Sequence, residues 1–398
     1  MTDEQRTNFD PEQLLRGDLR DFSPYSMGHV PLADLGKYIK LDLNENSFGP
    51  SPKAIAALAE MPHYHRYVGQ DELREAIARY VGVDVAHIVT SNGADEMIDL
   101  VQRIFLNRGD AIVNCPPSFE MYGFFARLNG AHIISVPRRD DFSVDVDAIT
   151  TVIASTFASL SVNSAKQSPS RDLETPALAC GASVASAQKP RRAMTKPKLI
   201  FLASPNNPEG SMLAHAEVER LLALPAILVL DEAYAEFAGE SYAARVPTHS
   251  NLIVVRTFSK WAGLASLRVG YCIAPKPIAA KILQCKPPEN VNAAGNTAAR
   301  ASLEDLDYLM ANVRRIVAER ERVSIELARL GFLHPLPSRA NFILCRVIGR
   351  DARQIYDGLA ARGILIRAFG SPRLRDYLRI AIGTPEQNDI LLRGLSEI

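Results

Sequence analysis

In RTFSKWAGLASLRVGY (256–271), Lys260 follows Thr257 and Ser259 and precedes Arg268 by eight residues. The apolar run NLIVV (251–255) leads directly into it. A lysine at the end of a buried strand, close to a second cation, is partly desolvated. Its pKa falls, and the amine becomes a nucleophile and a proton carrier. Three other apolar runs end in groups of complementary chemistry. AILVL (226–230) delivers Asp231, with Tyr234 three residues later; KLIFL (198–202) delivers SPNNPEG (204–210); HIVT (87–90) delivers Asn92-Gly93-Ala94. The last opens a helix, whose free N–H groups make an anion site. An amine, a carboxylate, an amide, a phenol and an anion cradle are more than packing alone requires.

Such groups converge if their runs are neighbouring strands, because ligands of doubly wound sheets sit beyond the carboxyl ends. The runs HIVT, AIVN (111–114), HIISVP (132–137), KLIFLAS (198–204), AILVLDE (226–232) and NLIVVRT (251–257) are short and rich in β-branched residues. They are apolar throughout rather than alternating, as expected of parallel strands buried on both faces. Between them lie helical patterns: Met97, Ile98, Val101, Ile104 and Phe105 recur at helical spacing, and SFEMYGFFARLNG closes at Gly130. The fold class is α/β, a large unit with a mostly parallel doubly wound sheet plus a smaller α+β unit. Residues 66–288 form the large unit and 289–398 the smaller one, with 1–65 packing against the latter. In the small unit LEDLDYLMANVRRIVAERERVSIELARLGF (303–332) reads as one long amphipathic helix, with strands at ANFILCRV and YLRIAIG around the helix ARQIYDGLAARG. Residues 154–197, rich in Ser, Ala, Pro and basic groups, cannot bury enough apolar surface to offset ordering entropy. They are expected to be a disordered surface insertion.

Composition excludes several classes of function. Lys+Arg and Asp+Glu number 45 each in 398 residues, so no net field calls for nucleic acid or a membrane surface. Five scattered cysteines (115, 180, 272, 285, 345) suit reduced thiols better than a disulfide framework. The N-terminus lacks an apolar core for a signal peptide, and no run is long enough for a membrane span, so a cytoplasmic location is expected. His63 and His65 alternate without a third ligand, and no metal is expected. No Ser-His-Asp set, P-loop or G-x-G-x-x-G supports a hydrolase, NTPase or dinucleotide reading.

The convergent groups match the demands of pyridoxal 5′-phosphate. Its aldehyde needs a lysine for a Schiff base, and its ring nitrogen needs a buried carboxylate to stay protonated. Its ring oxygen takes donors such as an amide and a phenol, and its phosphate takes hydroxyls, a guanidinium and a helix N-terminus. The chain resembles the fold-type I pyridoxal-phosphate aminotransferases, most of all their histidinol-phosphate branch. The stretches that carry the resemblance are LDLNENSFGPSP (41–52), HRYVGQDELREAIA (65–78), SNGADEMID (91–99), SPNNPEG, DEAYAEF (231–237), RTFSKWAGLASLRVGY, ANFILCRV (340–347) and LRIAIGTPEQN (378–388).

That resemblance implies roles residue by residue. Lys260 would bind the cofactor and shuttle a proton, Asp231 would pair with the ring nitrogen, and Asn207 and Tyr234 would hold the ring oxygen. Thr257, Ser259 and Arg268 would hold the phosphate with the Gly93, Ala94 and Asp95 turn, and Tyr122 would stack on the ring. Asp95 and Glu96 complement the helix dipole but would have to turn their carboxylates away from a phosphate. Tyr67 would reach the cofactor of a neighbouring subunit, which implies a homodimer. Arg379 resembles the arginine that grips the α-carboxylate, and Arg367 falls where the branch places a second arginine for a distal phosphate or carboxylate. Tyr25 and Asn46 lie in stretches that resemble pocket walls.

The implied reaction moves an amino group from L-histidinol phosphate to a 2-oxo acid, 2-oxoglutarate, in histidine biosynthesis. An aromatic amino acid aminotransferase and a decarboxylase of a phosphorylated amino acid are the alternatives on the same scaffold. The chain departs from the pattern at Glu289, where a tyrosine is usual, at Ser266, where a glycine is usual, and in RYV for RYP.

Overall fold

Seven strands build the central sheet: β1 (Ile88–Ser91), β2 (Ala111–Asn114), β3 (His132–Ser135), β4 (Pro197–Ala203), β5 (Ile227–Asp231), β6 (Leu252–Thr257) and β7 (Gly270–Ile273). The computed structural model describes residues 10–20, 22, 30–62, 64–164 and 196–398, with backbone only for 156–164. Strand order is β1-β7-β6-β5-β4-β2-β3. All pairs are parallel except β1 with β7 and β6 with β7. Six strands therefore point one way, and their carboxyl ends share one edge. The reversed strand β7 begins at that edge and was not legible as a strand, because the residues before it read as part of the lysine motif.

Both faces of the sheet are buried, as the unbroken apolar runs require, except at the edge strand β3, whose four residues are exposed or half-buried. Val229, Ile253 and Val255 face a layer with Met97, Ile98 and Val101 of the helix Gly93–Phe105. Their neighbours Leu228, Leu230, Leu252 and Val254 face the opposite layer with Leu73, Ile77, Val218 and Leu221. Each fully buried side chain of this size contributes about 1.5–3 kcal/mol.

A second, antiparallel sheet is built from β8 (Leu333–Pro335), β9 (Phe342–Val347), β10 (Arg367–Ala368) and β11 (Tyr377–Ala381) in the order β10-β11-β9-β8. Early chain joins late chain where Ile39–Lys40 pairs in parallel with Ile364–Leu365. The long helix expected over 303–332 is Leu306–Arg329; Leu303 ends the preceding helix, Ala293–Leu303, and Glu304–Asp305 break the two apart. Lys53 Nζ donates to Glu304 O at 2.8 Å at this break.

The helix Val146–Ser164 runs into the stretch expected to be irregular from 154. Ile149 and Ile153, one turn apart and buried, carry it to that point. At the other end β4 opens at Pro197. Residues 165–195 of the expected insertion lie outside the described residues. Among the described residues no helix is long and apolar enough to cross a membrane.

Candidate active site

Four strand ends and the start of β7 place their side chains on the shared edge of the sheet. Lys260 follows β6 and is partly buried, its Nζ donating to Leu43 O at 2.9 Å. Burial, and next the Arg379 guanidinium, pull its pKa down to about 8. Roughly a tenth of such an amine is uncharged at pH 7, against less than about a thousandth for an ordinary lysine.

Asp231 ends β5 and is buried. One carboxylate oxygen accepts from Ala233 N at 3.0 Å and the other from the Tyr122 hydroxyl at 2.6 Å. Burial pushes its pKa up, against the Tyr122 bond that favours the charged form. Tyr122 itself has no exposed surface and stacks on Phe201, with ring centres 5.1 Å apart. Its phenol thus meets the carboxylate, a contact its helical position did not foretell.

The SPNNPEG turn follows β4. Asn207 Oδ1 accepts from Arg379 Nη1 at 2.6 Å, and Arg379 Nη2 donates to Asp42 O at 2.5 Å. Beneath the turn lies a buried ion pair, Arg138–Glu209 at 3.4 Å, with Glu209 also accepting from Asn206 and Ser211 at 2.7 Å. The pair ties the turn to Arg138, since removing either partner would leave an uncompensated buried charge. Tyr234 accepts from Asn44 Nδ2 at 3.0 Å and sets its ring edge-on to Phe342.

At the far end of the edge, Thr257 Oγ1 lies 2.9 Å from Ser259 Oγ and accepts from Ser259 N at 3.1 Å. Arg268 bonds Asp95 at 2.7 Å, so the acid that opens the helix Gly93–Phe105 turns toward a cation. Backbone φ at Arg268 is 54°, in the left-handed region that disfavours a side chain with a Cβ. The helix N-cap, Asn92, makes no side-chain cap, so no cap occupies the first N–H groups at Gly93, Ala94 and Asp95.

Backbone approach here is too close for side chains. A Cβ on Gly270 would lie 2.5 Å from Ala94 N and from Gly93 C, and one on Gly93, at φ 79°, would lie 2.7 Å from Arg268 Nη2. Gly270→Ala is therefore expected to destabilise the protein by about 1–3 kcal/mol, as overpacking against backbone does. A chemical-denaturation midpoint unchanged from wild type would contradict that contact.

Other expected residues fall as follows. Arg367 on β10 is opposite Arg379 on β11 and partly buried, and among the described residues its side chain has no hydrogen bond or ion pair. Asn46 is buried and committed to backbone, donating to Trp261 O at 2.9 Å and accepting from Phe48 N at 3.0 Å. Tyr67 is 95% exposed. Tyr25 and His63 lie outside the described residues. Glu289 and Ser266, two of the three departures from the pattern, are both exposed.

The family model for aminotransferase class I and II matches residues 36–395. The chain belongs to the class I and II aminotransferases. It is 46% identical to a histidinol-phosphate aminotransferase of Roseiflexus castenholzii, covering 97% of this chain and 98% of that protein. It is 40% identical to the chloroplastic histidinol-phosphate aminotransferase of Nicotiana tabacum, covering 98% of this chain and 88% of the relative. Among solved structures it is similar to the histidinol-phosphate aminotransferase of Sinorhizobium meliloti in complex with pyridoxal-5′-phosphate. That match has 26% identity and a TM-score of 0.76, covering 98% of this chain and 97% of the other.

The aminotransferase site fits pyridoxal phosphate by the chemistry of its groups. An amine of lowered pKa, a buried carboxylate, and an uncapped helix start with hydroxyls and a guanidinium beside it all lie on one edge. Motif reading missed the residues that hold these groups. Asn44 and Asn341 tie the 41–46 segment to the small sheet, Asn341 Nδ2 donating to Asn44 O at 3.0 Å. Asn44 has a signal in the sequence, since it lies in LDLNENSF; Arg138, in PRRDD, has none.

Proposed function

We propose that this aminotransferase moves the amino group of L-histidinol phosphate to 2-oxoglutarate, giving imidazole-acetol phosphate and L-glutamate. One observation carries the reading. Lys260, Asp231 and Arg379 meet at one sheet edge in a chain 46% identical, over nearly its full length, to a histidinol-phosphate aminotransferase.

When bound, the cofactor holds the amino group between the two half-reactions and draws off the charge that develops at the substrate Cα. Lys260 would hold the aldehyde carbon and then carry the proton between the substrate Cα and the cofactor C4′. Its lowered pKa lets it do so near neutral pH. Asp231, oriented by Tyr122 and the Ala233 N–H, would keep the ring nitrogen protonated, and Tyr122 would pack on the ring. Asn207 and Tyr234 would bind the ring oxygen. Thr257, Ser259 and Arg268 would bind the phosphate with the Gly93, Ala94 and Asp95 N–H groups.

Arg379 would grip the α-carboxylate of glutamate, exchanging the neutral Asp42 carbonyl for an anion. Arg367, partly buried and with no partner among the described residues, would take the distal phosphate of the donor or the side-chain carboxylate of glutamate. Tyr67, exposed on its own subunit, would complete the phosphate site of a neighbour in a cytoplasmic homodimer.

The test is a comparison of amino donors by kcat/KM, with histidinol phosphate, phenylalanine and tyrosine side by side. Arg367→Ala should lower kcat/KM for histidinol phosphate about 10- to 100-fold, the loss of charge-assisted bonds to a buried anion, and barely change it for phenylalanine. Equal losses on both donors would favour an aromatic amino acid as the natural substrate.

A further inference from the structure

Glu96 is a carboxylate in the first turn of the helix whose N-terminus faces the anion site, where its charge opposes phosphate. Its geometry points elsewhere. Oε2 accepts from Asn92 N at 2.6 Å, reaching back over the helix start as the acidic member of a capping box does. The same oxygen accepts from Asn290 Nδ2 at 2.5 Å. Asn290 Oδ1 in turn accepts from Lys286, whose Nζ also donates to Gln70 Oε1 at 2.7 Å. Gln70 Oε1 accepts from Thr90 on β1 at 2.6 Å, closing the chain of contacts on the strand that leads into the helix.

The residues that follow brace the other wall. Asn292 Nδ2 donates to Leu267 O at 2.9 Å, one residue before Arg268, and a Cβ on Gly295 would lie 2.8 Å from the same oxygen. The segment 286–296, which connects the two units of the chain, is thus bonded to both sides of the cradle. Bonding Asn92 N–H to Glu96 satisfies the donor behind the turn and leaves those of Gly93, Ala94 and Asp95 to face an anion.

We propose that Glu96 and Asn290 are positioning residues for the phosphate cradle, with the interdomain segment as their anchor; this rests on the cofactor reading above. Two forces then act on phosphate in opposite directions at Glu96: charge repulsion, and the hold on the turn. If position outweighs charge, Glu96→Ala weakens phosphate binding although it removes a negative charge. Glu96→Gln, which keeps an acceptor for Asn92 N–H, restores it.

The experiment measures equilibrium binding of pyridoxal 5′-phosphate and of dephosphorylated pyridoxal to the cofactor-free protein. For Glu96→Ala and Asn290→Ala the dissociation constant for pyridoxal 5′-phosphate should rise about five- to tenfold, the loss expected for a helix-capping bond. That for pyridoxal should not change, and Glu96→Gln should bind both like wild type. Tighter or unchanged phosphate binding in Glu96→Ala overturns the proposal, because charge would then dominate. Equal weakening for both ligands also overturns it, since the effect would not be specific to the cradle. A wild-type protein that binds the two ligands equally well would remove the cradle itself, and the cofactor reading with it.

Discussion

Lys260→Ala is expected to fold and to lose transamination, with turnover falling on the order of 10⁴-fold or more, since one side chain supplies both the nucleophile and the proton carrier. Folding should survive because the change removes a costly group. The amine is pulled down to about pKa 8 by burial and by Arg379, and among the described residues it makes one hydrogen bond, to Leu43 O. Borohydride reduction in the presence of cofactor should label wild type at Lys260 and leave the variant unlabelled. Residual turnover within tenfold of wild type, on folded protein, would rule out the role assigned to this amine.

Asp231→Asn is the second large effect. The amide oxygen can still accept from Ala233 N, and its NH2 can donate to the Tyr122 hydroxyl oxygen with the direction of that bond reversed, so the strand end should keep its shape. What it loses is the negative charge that holds a proton on the ring nitrogen. A preorganised electrostatic partner of this kind is worth about 10²- to 10³-fold in kcat. The KM for both substrates should move far less, because neither Arg379 nor Arg367 is touched. Thermal stability should stay level or rise, since Asp231 is held in the folded protein with a raised pKa, a sign of costly burial. A kcat within twofold of wild type would show that the carboxylate does not serve the cofactor.

The strands that carry the site were legible because burial on both faces writes an unbroken apolar run, and their terminal residues could be read off as chemistry. AIVN matches its strand residue for residue, and the others shift by one or two positions at their ends. β7 was hidden because its first two residues, Gly270 and Tyr271, belong to the lysine motif itself. The long helix over 303–332 was legible because its apolar spacing is sustained, and the structure trims it only at the ends, to Leu306–Arg329. Within the site, residues that present a functional group at a strand end were foreseen. Residues that hold those groups through long-range contacts were not, because Arg138 with Glu209, or Lys286 with Gln70, are neighbours only after folding. Tyr122 falls between these cases: its proximity to the site was foreseen, its bond to Asp231 was not.

The reversal of β7 bears on how the chain assembles. Asp95 and Arg268 meet across 173 residues of sequence, through strands that pair only when the sheet is nearly complete. Contacts of such separation are reached late, after the entropy of closing the intervening chain has been offset by other pairings. The proposed phosphate cradle around this pair is therefore a property of the finished sheet and has no counterpart in the unfolded chain. A ligand held there binds only the native form, and at a hundred times its dissociation constant it adds about 2.7 kcal/mol to folding stability. On the proposed site, the cofactor of this aminotransferase would also be the last structural piece of its seven-stranded sheet.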